Sequence, residues 1–369
     1  MRNVLKLTTY AAASVFVLGV AAAKADITVV SWGGGYTASQ QKAYGDTWTG
    51  GKIHWENYNG GLGEVRAQVE AGSVQWDIVD VLPHEGRVGC DEGLFEELPR
   101  DVFTPAPDGT SMDDDIMVKV PNDCVVPQIF WSYVPFYDAA QDHPGWPEGE
   151  VPTTIADFFD LEKFPGKRGI HTWPNALIEM ALLADGVAVK DIYTVMDTPE
   201  GIDRAFAKLD TIKDHAVFWS SGAKPLEFVK SGETVMALAY NGRIGAAILG
   251  EGEPFVTMWD GQVIEEEWLV MVKGSKNYDE ALAFLIHASA PEQQAGQAKY
   301  INYGPMRKSA FKIITAGEPW FITPDGKANI MEHMPNREEI AARSLYADPD
   351  WWADNGDEVA ERFTAWMSK

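Results

Sequence analysis

Beyond its first 25 residues the chain has no apolar run approaching the roughly 18 to 20 residues that a membrane-spanning helix requires, so no such helix is expected after that point. Basic residues are scarce, with 30 Lys and Arg against 55 Asp and Glu and a formal net charge of −25. A surface of that sign repels nucleic acid and anionic lipid, so neither is expected as a partner. The seven histidines are scattered singly, without an i, i+4 pair or an H-E-x-x-H, and no two tyrosines are adjacent. No metal site is expected. Also missing are G-x-x-x-x-G-K-[ST], a G-x-G-x-x-G after a strand and G-x-S-x-G, which argues against nucleotide, dinucleotide and serine-hydrolase chemistry. Neither a cofactor nor a catalytic residue is expected.

Residues 1–25 have the layout of an export signal. Arg2 and Lys6 precede the short apolar run "LTTYAAASVFVLGVAAA", and Ala23-Lys24-Ala25 fits a small-x-small cleavage site. A soluble, exported, monomeric protein in the periplasm is expected. In that oxidising compartment the only two cysteines, Cys90 and Cys124, favour a disulfide. What remains is long enough for two lobes, each with its own core.

Short apolar strands alternate with helical patterns. "ITVVSW" precedes a helix expected around residues 38 to 48, "KIHWENY" precedes "GLGEVRAQVEAG", and "WDIVDVLP" is a buried strand. Such alternation predicts an α/β lobe with a mainly parallel sheet. A second group follows "VVPQIFWSYVPFYD". In it, "PNALIEMALLADG" and "PEGIDRAFAKLDTI" each place Pro at a helix's first turn, and "ETVMALAY" leads through an Asn-Gly turn to Arg243. "EEEWLVMVKG" is a further strand.

Aromatic and polar residues recur where these strands end. Trp32 and Tyr36 flank three glycines, Tyr58 follows the second strand, and Asp80 and His84 lie at the third. Trp131, Trp173, Trp219, Tyr240 with Arg243, and Glu267 with Trp268 complete the set. In open α/β sheets ligands sit outside the carboxyl ends of strands, so these positions can converge on one cleft. The "GGG" lacks a phosphate-loop Lys; it is read as a sharp turn that either aims Trp32 at the cleft or packs it inside.

"VVSWGG", "QVEAGSVQWDIVDV" before "CDEGLFEELP", "PTTIADFFDLEKFPGKRGI", "FVKSGETVMALAYNGRI" and "KGSKNYDEALAFLIHASAPEQQA" together resemble the periplasmic solute-binding proteins of ABC importers, in the polyamine-binding branch. The resemblance implies an α/β, two-lobe periplasmic binding protein fold of type II, with a cleft that closes on ligand and delivery to a membrane permease. Residues 26–133 would form the first lobe and 134–269 the second, with 270–369 returning to the first and carrying C-terminal helices across both. On the same basis Trp32 and Tyr240 would face the ligand and Glu267 would pair with an ammonium. After "GKRGI" the pattern departs: Trp173 and Asn175 stand where polyamine receptors carry carboxylates. Arg243 either grips a ligand carboxylate or pairs with a protein carboxylate. A polyamine such as putrescine or spermidine, or a similar small cationic amine, is the first reading of the ligand, γ-aminobutyrate or another ω-amino acid the second, and a metal ion the third.

Overall fold

The computed structural model describes residues 24–369. The signal-like segment therefore lies, except for its last two residues, outside the described part. Nine strands carry the architecture: β1 (Ile27–Ser31), β2 (Ile53–Asn57), β3 (Ile78–Val81), β4 (Val125–Asp138), β5 (Arg168–His171), β6 (Ala216–Trp219), β7 (Met236–Tyr240), β8 (Phe255–Thr257) and β9 (Val263–Met271). The main path of the sheet runs β2-β1-β3-β9-β4-β7-β5-β6. The pairs β1 with β2 and with β3, and β5 with β6 and with β7, are parallel, as the strand and helix alternation requires. The two ends of the path belong to two α/β lobes, each covered by helices.

Two strands join the lobes. β4 is 14 residues long and buried throughout; its first nine residues run antiparallel to β9, and from Tyr133 to Phe136 it pairs with β7. β9 pairs with β3 from Trp268 to Met271. Trp268 and Leu269 therefore stand in the same ladder as β3.

After β9 the chain returns to the first lobe through the helices Tyr278–Ala288, Pro291–Gln297 and Lys308–Ala316. The final helix, Pro349–Ser368, buries Trp351, Trp352, Phe363 and Trp366 in the second lobe's core and also packs on the helix Pro83–Asp91 of the first. At its start Asp350 reaches Arg87 of the first lobe at 2.5 Å.

The sequence placed Pro174 in a first helical turn. Instead Ala176, buried and at φ 65°, precedes a helix that begins at Leu177. Pro199 does open its helix.

Cys90 and Cys124 are joined in a disulfide that ties the end of the helix Pro83–Asp91 to the start of β4. The bridge closes a loop with a sequence separation of 34, which in the chain-entropy picture is worth about 3 to 4 kcal/mol. Replacing both cysteines with Ser is expected to lower the Tm of the non-reduced protein by roughly 5 to 10 °C. A calorimetric scan of both proteins measures this, and adding a reductant should shift only the wild type.

Candidate functional site

The site is built at the carboxyl ends of β1, β5, β6 and β7 and along one face of β4 and β9. After β1 the chain passes Trp32, Gly33 and Gly34. Gly33 and Gly34 have φ of 78° and 58°, which side chains with a β-carbon rarely adopt. The helix starts at Gly34, earlier than the sequence pattern placed it, and runs to Gln40 before a π turn at Gln41–Gly45. This sharp entry leaves Trp32 half-buried. Its Nε1 donates to Glu267 Oε1 at 2.6 Å, and its ring stacks on Tyr58 with centroids 4.9 Å apart.

Glu267 is buried. Burial raises its carboxyl well above the usual range, and nearby Asp80 adds to the rise while the Trp32 N–H opposes it. No basic side chain of the described residues pairs with it. Asp80 is engaged differently: it accepts from Gln40 at 2.9 Å, Gln128 at 2.8 Å and Tyr36 at 3.2 Å. Burial raises it to about 6 against these hydrogen bonds. Its oxygens hold protein side chains in place, among them the Tyr36 ring.

Arg243 comes from the opposite lobe. β7 passes directly into the helix Asn241–Ala246, so the expected Asn-Gly turn is the helix's first residues. Asn241 is buried; its Oδ1 accepts from the Ser132 backbone N–H, and its Nδ2 donates to the Asn302 carbonyl. This fixes the start of the helix that carries Arg243. Among the described residues, seven of the ten arginines hold carboxylates, while Arg168 and Arg337 donate to backbone carbonyls. Arg243 has neither. Its guanidinium lies beside Gly34 of the first lobe, where a β-carbon would meet Nη1 at 3.5 Å, and 5.8 Å from the centre of the Tyr240 ring.

Tyr240 and Tyr303 tie the two charges to one place. Burial raises both phenols, Tyr240 to about 12. In each case Arg243 opposes the rise and Glu267 adds to it. Beneath them lies an aromatic floor in which Trp131, Tyr133, His171, Trp219 and Tyr240 are joined by centroid distances of 4.9 to 5.8 Å. Trp173 stacks on His171 at 4.5 Å and donates to the Tyr133 hydroxyl. Burial lowers His171 to about 3, so it is a neutral ring.

Of the twelve residues singled out in the sequence, Trp32, Tyr36, Tyr58, Asp80, Trp131, Trp173, Trp219, Tyr240, Arg243 and Glu267 fall in or directly behind this cluster. Two do not. Trp268 packs in the first lobe's core and donates to Glu266 at 2.8 Å, because neighbours on a strand face opposite ways and Glu267 takes the cleft side. His84 lies on the helix Pro83–Asp91 where the final helix packs, with Glu85 and Asp357 as its charged neighbours. Sequence reasoning missed Tyr133, His171 and Tyr303. It also missed Glu265, which period-two alternation from Glu267 would have found.

Glu265 faces the second lobe beside Glu179, and both are buried. Glu179 accepts from Trp352 at 2.7 Å and Tyr193 at 3.1 Å, while its other oxygen has no partner among the described residues. Burial lifts Glu179 from an ordinary 4.5 to about 7. A raised carboxylate pKa means that the folded state holds the proton more tightly. The group's contribution is therefore fully favourable below pH 4.5 and is lost as pH rises through 7, by up to roughly 3 kcal/mol. E179Q, which cannot ionise, should raise the Tm above wild type at pH 8 and match it at pH 4.5. Paired melts at the two pH values check this.

Residues 38–324 match the family model described as "Bacterial extracellular solute-binding protein". Over 364 residues the chain is 35% identical to the gamma-aminobutyric acid-binding protein of Pseudomonas aeruginosa, with 96% of each covered. It is also similar to the solved structure of a GABA receptor, with a TM-score of 0.78, 30% identity and coverage of 94% of this chain and 98% of that one. A third relative is the PBP MotA from A. tumefaciens B6 in complex with glucopine, at TM-score 0.78 and 26% identity, covering 93% and 100%.

Proposed function

The chain belongs to the bacterial extracellular solute-binding proteins, and from that membership we propose that it captures an ω-amino acid of the γ-aminobutyrate type between its lobes, in the periplasm. Proteins of this kind are the non-enzymatic, substrate-binding components of ABC transporters and work with a membrane permease. The observation that carries the proposal is Arg243, a guanidinium with no carboxylate partner among the described residues, set near the same two tyrosines as Glu267, which is buried and has no basic partner among them.

A ligand carboxylate matches the planar fork of Arg243, which offers parallel N–H donors and stays charged. The ligand ammonium would neutralise Glu267 and lie against the Trp32 and Tyr58 rings, each cation–π contact adding about 0.5 to 2 kcal/mol. Glu267 and Arg243 sit on different lobes, so a ligand holding both favours the closed arrangement. The identity to a gamma-aminobutyric acid-binding protein supports the same ligand class. This reverses the order of the two ligand readings drawn from the sequence.

A diamine such as putrescine is the second reading. It is favoured by Glu265, a further buried carboxylate on the cleft side of β9 without a hydrogen-bond donor among the described residues. Thermal-shift titration of the purified protein separates the two. A ligand at 100 times its Kd adds about 2.7 kcal/mol of stability. Stabilisation by γ-aminobutyrate and not by putrescine is expected. Stabilisation by putrescine alone would transfer the site to diamines, and no response to either would end both readings.

A further inference from the structure

We infer that Gly222 is the residue that positions Arg243, and so sets whether the cleft takes a ligand with a carboxylate; the inference rests on the ω-amino acid reading of the site. Gly222 lies in the short loop between β6 and the helix Lys224–Lys230. A β-carbon at this position would stand 2.8 Å from Arg243 Nε, 3.1 Å from its Cζ and 2.7 Å from Tyr240 Cε2. Carbon atoms do not approach that closely, so any side chain here collides with the guanidinium and with the ring edge beside it. The need for glycine comes from this approach: φ at Gly222 is not in the left-handed region, where it is at Gly33 and Gly34.

Arg243 therefore lies between two glycines from opposite lobes, Gly34 and Gly222. With neither a carboxylate nor a carbonyl among the described residues to hold it, its orientation is set by these bare backbones and by the Tyr240 ring. A methyl group on Gly222 meets both the edge of the Tyr240 ring and the far end of the Arg243 side chain; the ring is packed among Trp131, Tyr133 and Trp219, so the arginine is the one that moves. The displaced guanidinium no longer presents its fork where Glu267 receives the other end of the ligand. Gly222 touches Arg243 and Tyr240, not the ligand, and is a positioning residue.

Two measurements on G222A test this. The first is the crystal structure of the ligand-free variant, in which Arg243 is expected to have left its position beside Gly34. Finding Arg243 unmoved would overturn the inference, whatever the ligand proves to be. The second is calorimetric titration with γ-aminobutyrate of wild type, G222A, R243A and the double variant. G222A is expected to weaken binding at least tenfold with an unchanged apo Tm, and to add nothing in the R243A background. An equal loss in both backgrounds would show that Gly222 acts by another route and would also overturn it. A wild type that fails to bind γ-aminobutyrate, together with a displaced Arg243 in the G222A crystal, would instead retire the ligand reading and leave the positioning role standing.

Discussion

R243A will bind γ-aminobutyrate at least a hundredfold more weakly than wild type, and will melt at the same temperature when no ligand is present. The first effect follows from removing one half of a desolvated, hydrogen-bonded charge pair, which costs about 2 to 5 kcal/mol because the ligand carboxylate is left buried without a counter-charge. The second follows from the missing partners: deleting a guanidinium that has no carboxylate or carbonyl partner among the described residues breaks no ion pair or hydrogen bond and removes only its contacts with Gly34, Gly222 and the Tyr240 ring. Calorimetric titration gives the affinity, and a scan of the apo protein gives the Tm. A drop in apo Tm of several degrees with affinity preserved would make Arg243 a structural residue. Putrescine provides a further contrast. Removing the arginine takes a positive charge from the cleft, so R243A should bind the diamine as well as wild type does, or better.

E267Q is expected to lower γ-aminobutyrate affinity at least thirtyfold, about 2 kcal/mol or more. The substitution keeps an oxygen to accept the Trp32 N–H and removes only the charge, which makes it a cleaner change than Ala. It also bears on pH. In the apo protein, burial and Asp80 hold the Glu267 proton above the usual carboxylate range, whereas an ammonium ligand needs the ionised form. Binding therefore releases protons wherever the apo carboxyl is protonated, and strengthens as pH rises. E267Q should lose this slope along with the affinity. Titrations at pH 5 and pH 8, each in buffers of different ionisation enthalpy, measure both; equal affinity of wild type at the two pH values would remove Glu267 from the ammonium site.

Much of this was legible in the sequence. The strands rich in Val and Ile, the switch between two periodicities and the placement of Trp32, Tyr240 and Arg243 where β1 and β7 end carried through, because each is a local property of a few residues; Glu267, expected near a strand end, stands instead inside β9 and faces the site from a joining strand. What escaped depends on distant parts of the chain. Trp268 was grouped with Glu267 although strand alternation separates them, and its burial against Gly86 and Val125 comes from other elements. Tyr303 and Gly222 lie in irregular segments with no period to reveal which way they face. His84 looked like a site residue until the final helix, contributed by residues 349–368, was found packed against it. The state of Arg243 could be decided only by surveying the carboxylates around it.

The placement of β9 between β3 and β4 has a consequence for how the protein is made. β3 ends at Val81 and β4 begins at Val125, yet the strand that must separate them starts at Val263. At about 5 to 20 residues per second, a ribosome needs roughly 10 to 40 s between completing β3 and starting β9. Throughout that interval two buried-type strands have open edges, and pairing them directly with each other would give the wrong sheet. The junction between β3 and β4 therefore closes only once residues 263–271 have been made, whereas β4, β5, β6 and β7, which are neighbours in the sheet, are all complete by residue 240.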